Sequence, residues 1–170
     1  MDHPQPLAAL ATGVQRESLL QLLARSERFA LTLVLAPAGS GKSTLLQHWR
    51  ARCEAAVVHY PLQARDNDPL CFFRRLAEII RAQLGDFDTS WFNPLAVATG
   101  LSPQLLGDLL SDALARIEQP LFIVLDDFQW IDCPSILEVI TSLLEQLPAN
   151  VRLILASRNH PGFSLSQLKL

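Results

Sequence analysis

The chain has 170 residues, is 49% hydrophobic and 18% charged, and carries a formal net charge of −3. So apolar a composition excludes a disordered tail and suffices for a sizeable core. The acidic balance lacks the cationic footprint of a nucleic-acid-binding segment, and no apolar run approaches the ~18 residues of a membrane span.

Residues 1–13 read as an irregular, proline- and alanine-rich lead, and a domain is expected over 14–170. The N-terminus has no basic stretch ahead of a long apolar run, so no secretory leader is expected. A helix fits Glu17 to about Arg25. Ala30–Leu35 is a short apolar run followed by proline and glycines, a buried strand ending in a sharp turn. From Lys42 the pattern turns helical, with Leu45, Leu46 and Trp49 on one side. Ala55–Tyr60 reads as a second strand stopped by Pro61.

Asp68-Pro69 is a cap-then-proline start for a helix whose stripe is Leu70, Phe73, Leu76, Ile80 and Leu84. Gly85 to Gly100 forms a long connection holding Trp91 and Pro94. Ser102-Pro103 repeats the start signal for a helix faced by Leu106, Leu109, Leu110, Ala113 and Ile117. Leu121–Leu125 is a third strand ending in Asp126-Asp127, Pro134–Leu147 a helix, and Val151–Ala156 a fourth strand ending in Ser157-Arg158. Strands apolar on both faces alternating with helices predict an α/β fold with a mainly parallel sheet.

Ala36-Pro37-Ala38-Gly39-Ser40-Gly41-Lys42-Ser43-Thr44 fits the phosphate-loop pattern, with alanine where glycine is commonest. Glycines let backbone N–H groups turn inward around phosphate oxygens, and the helix that follows aims its positive dipole end at them. Lys42 can neutralise the β- and γ-phosphates, Ser43 can ligand Mg²⁺, and Thr44 lies near the α-phosphate. Lys42 is one of two lysines, the other being Lys169.

The strand Leu121–Leu125 delivers two carboxylates to the sheet edge where parallel α/β folds bind ligands. Asp126 is placed to hold the Mg²⁺ shell, and Asp127 to orient or deprotonate a water. Arg158, after the fourth strand at the same edge, can sense the γ-phosphate; its alternative is a surface arginine. The Val14-Gln15-Arg16-Glu17 segment can lie across the base; its alternative is an exposed helix start.

His3, His48, His59 and His160 lack ligand spacing and read as structural or solvated. Cys53, Cys71 and Cys133, without CxxC spacing, read as reduced thiols. Trp91-Phe92 and Phe128, Trp130 and Ile131 read as packing residues.

The segments APAGSGKSTLLQHW, LFIVLDDFQWID and LILASRNHPGFSLSQLKL resemble the AAA-like (NB-ARC-like) ATPase domain of MalT-like, large ATP-binding LuxR-type transcriptional regulators. These belong to the signal-transduction ATPases with numerous domains, the STAND class. The resemblance runs from about Val14 to Leu170, and the Arg65-Asp66-Asn67-Asp68-Pro69 run is typical of it too. It implies a three-layer α/β/α P-loop NTPase of the ASCE/STAND type. Pro37 through Thr44 would hold ATP or ADP, Ser43 and Asp126 the Mg²⁺, and Asp126-Asp127 form the Walker B pair. Lys42, Asp127 and Arg158 are the implied catalytic groups, with Arg158 the sensor arginine and Arg16 the N-terminal arginine near the adenine.

Gln15 stands where the family often has glycine, and Gln63 where it often has an acid. The family also continues into a fifth strand beside the phosphate-loop strand, further helical and winged-helix domains, a sensor and a helix-turn-helix. The expectation is therefore a domain truncated before its fifth strand, which would leave Ala30–Leu35 as an exposed edge.

The implied function is an ATP-binding switch in the cytoplasm, slowly hydrolysing ATP·Mg²⁺ and self-associating in the ATP state of the full-length protein. No specific DNA binding by this segment and no membrane contact are expected. The alternatives are a stand-alone P-loop ATPase or small-molecule kinase, for which Arg74, Arg75 and Arg81 lie on one helix but read as its solvated face, and a partner-binding module that has lost nucleotide.

Overall fold

The protein's structure, a computed structural model, describes residues 7–92, 100 and 102–162, with side chains from Arg16 onward. In chain order it contains α1 (Leu7–Ala24), β1 (Leu31–Leu35), α2 (Lys42–Arg50), β2 (Ala56–Pro61), α3 (Pro69–Leu84), α4 (Pro103–Ala115), β3 (Leu121–Asp126), α5 (Pro134–Glu145) and β4 (Val151–Ser157). Short 3₁₀ turns lie at Arg25–Arg28, Ala64–Asn67 and Phe128–Trp130.

Among the described residues the sheet is four-stranded and parallel, in the order β1-β4-β3-β2. Its registers pair Leu31 with Leu153, Leu121 with Val151 and Ala56 with Leu121. Parallel pairing requires crossovers, and the helices supply them on both faces. All six residues of β3 are buried, as a central strand covered on both sides demands. Among the described residues β1 stands at the edge, half-buried, with Leu35 36% exposed.

Strand alternation sorts the core into two layers. Ile123, Leu125, Leu153 and Leu155 pack with Phe72, Phe73, Leu110, Ile136 and Ile140 from α3, α4 and α5. Phe122, Val124, Ile154 and Ala156 pack with Leu20, Leu23, Leu46 and Trp49 from α1 and α2. Trp49 meets Phe122 edge-on, with centroids 4.9 Å apart. Trp91 joins the first layer at 5% exposed, so the connection after α3 is anchored as expected. Pro94 lies outside the described residues, as do residues 163–170.

Asp68 caps α3 by accepting from Cys71 N–H at 2.8 Å, with Pro69 at its first turn. Ser102 does not cap α4 with its side chain, although Pro103 opens that helix as expected. Gly107 lets α4 approach α5 closely, because a Cβ there would lie 2.8 Å from Ser142 Cβ.

The first helix corrects the sequence reading. It starts at Leu7, not Glu17, so residues 7–13 are helical rather than irregular. Leu-Ala-Ala-Leu-Ala is strongly helix-forming but carries no cap or charge pattern to mark its start. Glu17 is consequently mid-helix, where its carboxylate accepts from Arg52 Nη1 at 2.9 Å.

Candidate nucleotide-binding site

The chain leaves β1 at Leu35 and enters α2 at Lys42 through an exposed glycine turn. Ala36 N–H donates to Ser157 O at 3.2 Å, which ties the start of the turn to the end of β4. Gly39 and Gly41 have φ of 74° and 82°, a left-handed backbone that other L-residues enter at a cost. Gly41 is the N-cap of α2 and offers no side-chain acceptor, so the first N–H groups of that helix face the turn without a side-chain cap. Lys42 is 9% exposed, and its Nζ donates to Ala36 O at 2.7 Å and Pro37 O at 3.2 Å. The ammonium therefore lies within the curl of the loop. Arg16 adds a second cation from α1: its Nη2 would lie 3.3 Å from a Cβ placed on Gly41.

Two strands away, β3 ends in the acid pair. Asp126 is 2% exposed, and its Oδ1 accepts from Asp127 N–H at 2.9 Å. Burial alone would raise its carboxyl pKa. The neighbouring His59 imidazole and Ser43 hydroxyl, with the Asp127 N–H bond, outweigh that and hold the carboxyl below its ordinary range. The serine after the loop lysine and the first acid of the pair thus lie close together at the sheet edge. His59, expected to be structural or solvated, instead faces the acid pair: its Nε2 lies 3.5 Å from Asp126 Oδ2. The available signal was a lone ring nitrogen in the apolar run of β2.

Asp127 has φ 57°, a left-handed conformation that turns the chain sharply out of β3. Its Oδ1 accepts from Gln129 Nε2 at 2.8 Å, and Gln129 Oε1 accepts from Arg158 N–H at 3.1 Å. Arg158 follows β4, exposed, at the same sheet edge. Pro37, Ala38, Gly39 and Ser40 form the exposed rim, and Thr44 is half-buried in the first turn of α2. Phe128 and Ile131 are core residues, as expected, whereas Trp130 is 45% exposed.

The arginines of α3 divide. Arg74 and Arg81 are exposed, but Arg75 donates from Nη1 to both oxygens of Asp66, at 3.1 and 3.0 Å, and lies 5.2 Å over the Tyr60 ring. Asp66 is fully buried and also accepts from Gln63 N–H at 2.7 Å. Burial, with Asp66 adding to it, pushes the Tyr60 hydroxyl far above its ordinary pKa. Arg75 is therefore not part of a solvated face. The neighbouring Asn67 accepts from Asp132 N–H and Cys133 N–H, each at 2.9 Å, and clamps the segment that follows the acid pair.

Among the described residues no group of histidines, cysteines and acids has the grouping of a metal cage. The oxygens of Ser43 and Asp126 instead suit a hard cation that keeps most of its shell from water and a bound phosphate. Among the described residues no helix is long and apolar enough to cross a membrane.

The chain is similar to known proteins in sequence and in fold. The sequence model of the AAA ATPase domain matches residues 13–155. The HTH-type transcriptional regulator MalT of Cronobacter sakazakii (strain ATCC BAA-894) is 32% identical over 157 residues, 92% of this chain and 17% of that regulator. The chain thus spans about a sixth of the length of that relative. The ORC1 protein of Aeropyrum pernix, solved in complex with DNA, has the same fold, with a TM-score of 0.51 at 20% identity over 92% of this chain and 40% of that one. With its parallel sheet, glycine loop and acid pair in the matched span, the chain belongs to the AAA ATPase domain family, in the company of MalT-like regulators.

Proposed function

We propose that this chain is the nucleotide switch of a cytoplasmic MalT-like, LuxR-type transcriptional regulator, binding ATP with Mg²⁺ and hydrolysing it slowly. The observation that carries the reading is the meeting of the loop and the acid pair. The Ser43 hydroxyl neighbours the buried Asp126 carboxyl beside a lysine held within the glycine turn. A buried carboxylate without a Lys or Arg partner suits a dication better than a structural role.

Lys42 and the N–H groups at the start of α2 would bind the β- and γ-phosphates, and Arg16 would lie beside the loop near the base. Ser43 and Asp126 would hold Mg²⁺, which when bound offsets negative charge on the phosphates. Asp127 would orient a water toward the γ-phosphorus and accept its proton as the new P–O bond forms. The bond to the β–γ bridging oxygen breaks, ADP keeps that electron pair, and the proton passes on to phosphate or solvent. Arg158 would register the γ-phosphate, so that the ATP and ADP states differ in their contacts.

In this reading the ATP state favours self-association of the full-length regulator, and DNA is contacted by other parts of it. A net charge of −3 supports leaving DNA contact to those parts. Calorimetric titration of ATP into the parent and into Lys42→Ala tests the reading. The substitution removes charge-assisted hydrogen bonds of roughly 1.5–3 kcal/mol, about a tenfold to hundredfold loss of affinity. Equal affinity in the two proteins would remove the phosphate-loop assignment.

A further inference from the structure

Gln129 has no assigned role, yet its carboxamide spends both ends on the residues expected to matter most. Nε2 donates to Asp127 Oδ1 at 2.8 Å, and Oε1 accepts from Arg158 N–H at 3.1 Å. Because β3 and β4 are neighbours, one side chain bridges their C-terminal ends. Gln129 is half-buried in the turn just after the acid pair, and water competes less for its part-buried bond to Asp127 than for its exposed bond to Arg158.

Asp127 is also the one non-glycine residue with positive φ among the described residues. Such a backbone persists when its surroundings hold it, and two contacts do so here. Asp127 N–H donates to Asp126 Oδ1, and the Asp127 carboxylate accepts from Gln129. With Oδ1 engaged, Oδ2 keeps a defined direction in which to face a water.

We infer that Gln129 is a positioning residue that fixes the Asp127 carboxylate and couples it to the segment carrying Arg158. The inference rests on the nucleotide-switch reading above. One amide cannot keep both bonds if the two segments separate. A γ-phosphate that draws Arg158 in therefore also sets Asp127, and its departure loosens both.

The test uses the full chain as parent, Gln129→Ala, which removes both bonds, and Gln129→Glu. The Glu variant keeps the acceptor for Arg158 N–H but sets a carboxylate against Asp127. ADP affinity should stay within about twofold of the parent in both variants, because neither bond touches the phosphate loop. Single-turnover ATP hydrolysis should fall about tenfold or more in Gln129→Ala. Gln129→Glu should hydrolyse ATP no faster than Gln129→Ala, and in an Asp127→Asn background Gln129→Ala should cost less than about twofold further, because Gln129 acts through Asp127. A merely structural role would cost the same in both backgrounds.

Equal hydrolysis rates in the parent and Gln129→Ala would overturn the inference. So would a Gln129→Ala loss of the same size in the parent and in the Asp127→Asn background. A parent that binds no ATP would overturn the switch reading first, and this inference with it, which separates the two failures.

Discussion

Two buried carboxylates stand at the C-terminal ends of neighbouring strands and are held in opposite ways. Asp66, after β2, is gripped by a guanidinium on both oxygens and by a backbone N–H. Asp126, at the end of β3, accepts from a backbone N–H with a serine hydroxyl and an imidazole beside it, and among the described residues it has no Lys or Arg salt bridge. Burial is nearly the same, 0% and 2% exposed, so it does not tell them apart. The partner does: a committed arginine makes the first acid a structural rivet, while weaker donors leave the charge of the second available to a cation.

The sharpest way to break this contrast is Asp66→Ala. It strands Arg75 over Tyr60 and unpins the turn at Ala64–Asn67, and should cost about 3–5 kcal/mol in urea unfolding. Asp66→Asn with Arg75→Met should recover most of that loss, since no charge is left unpaired. A loss under about 1 kcal/mol for Asp66→Ala would show that the pair is not structural.

Asp126→Asn should behave differently. The amide keeps the shape, so the unfolding free energy should change by less than about 1 kcal/mol, while the gain in ATP affinity on adding Mg²⁺ falls about tenfold. Calorimetry with and without Mg²⁺ reads this directly, and an undiminished gain would take Asp126 off the metal.

Acid titration gives a smaller effect. The Asp126 carboxyl is held below its ordinary value of 3.8. The unfolded chain therefore binds its proton first, and the stabilisation is present above that value and lost as pH falls through the folded one. Between about pH 5 and about pH 3 the parent should lose more urea resistance than Asp126→Asn. Parallel losses in the two proteins would contradict the assignment.

The smallest effect is expected where an arginine pairs with an acid in water. Glu17 and Arg52 meet at 2.9 Å with both side chains more than half exposed. Arg52→Ala should change stability by no more than about 0.5 kcal/mol. A larger loss would mean that the partner alone, without burial, makes a rivet.

The strands and the glycine loop were legible because each is a local pattern. Short apolar runs ended by proline, glycine or paired acids gave β1 to β4 to within a residue or two. The meeting of Ser43 with Asp126 followed from the fold class, which brings the ends of parallel strands to one edge. The contacts of His59, Gln129 and Arg75 were not legible. Each depends on a partner in another element, and a side chain's spacing along its own element does not say what it meets. Arg75 borders the buried stripe of α3, so helical period alone placed it with the solvated arginines. The start of α1 was missed for the opposite reason: alanine-rich sequence forms helix without announcing where it begins.

Asn67 carries a consequence for the order of assembly. Its side chain accepts from Asp132 and Cys133, the first of them 65 residues further along. Those bonds cannot form until the long connection through α3 and α4 has closed and β2 has paired with β3. Closing such a loop costs entropy before any contact repays it. The segment that aims Asp127 is thus expected to set late in folding, after the sheet that supports it. Asn67→Ala should then speed unfolding more than it slows refolding, which stopped-flow kinetics would read as a φ-value near zero.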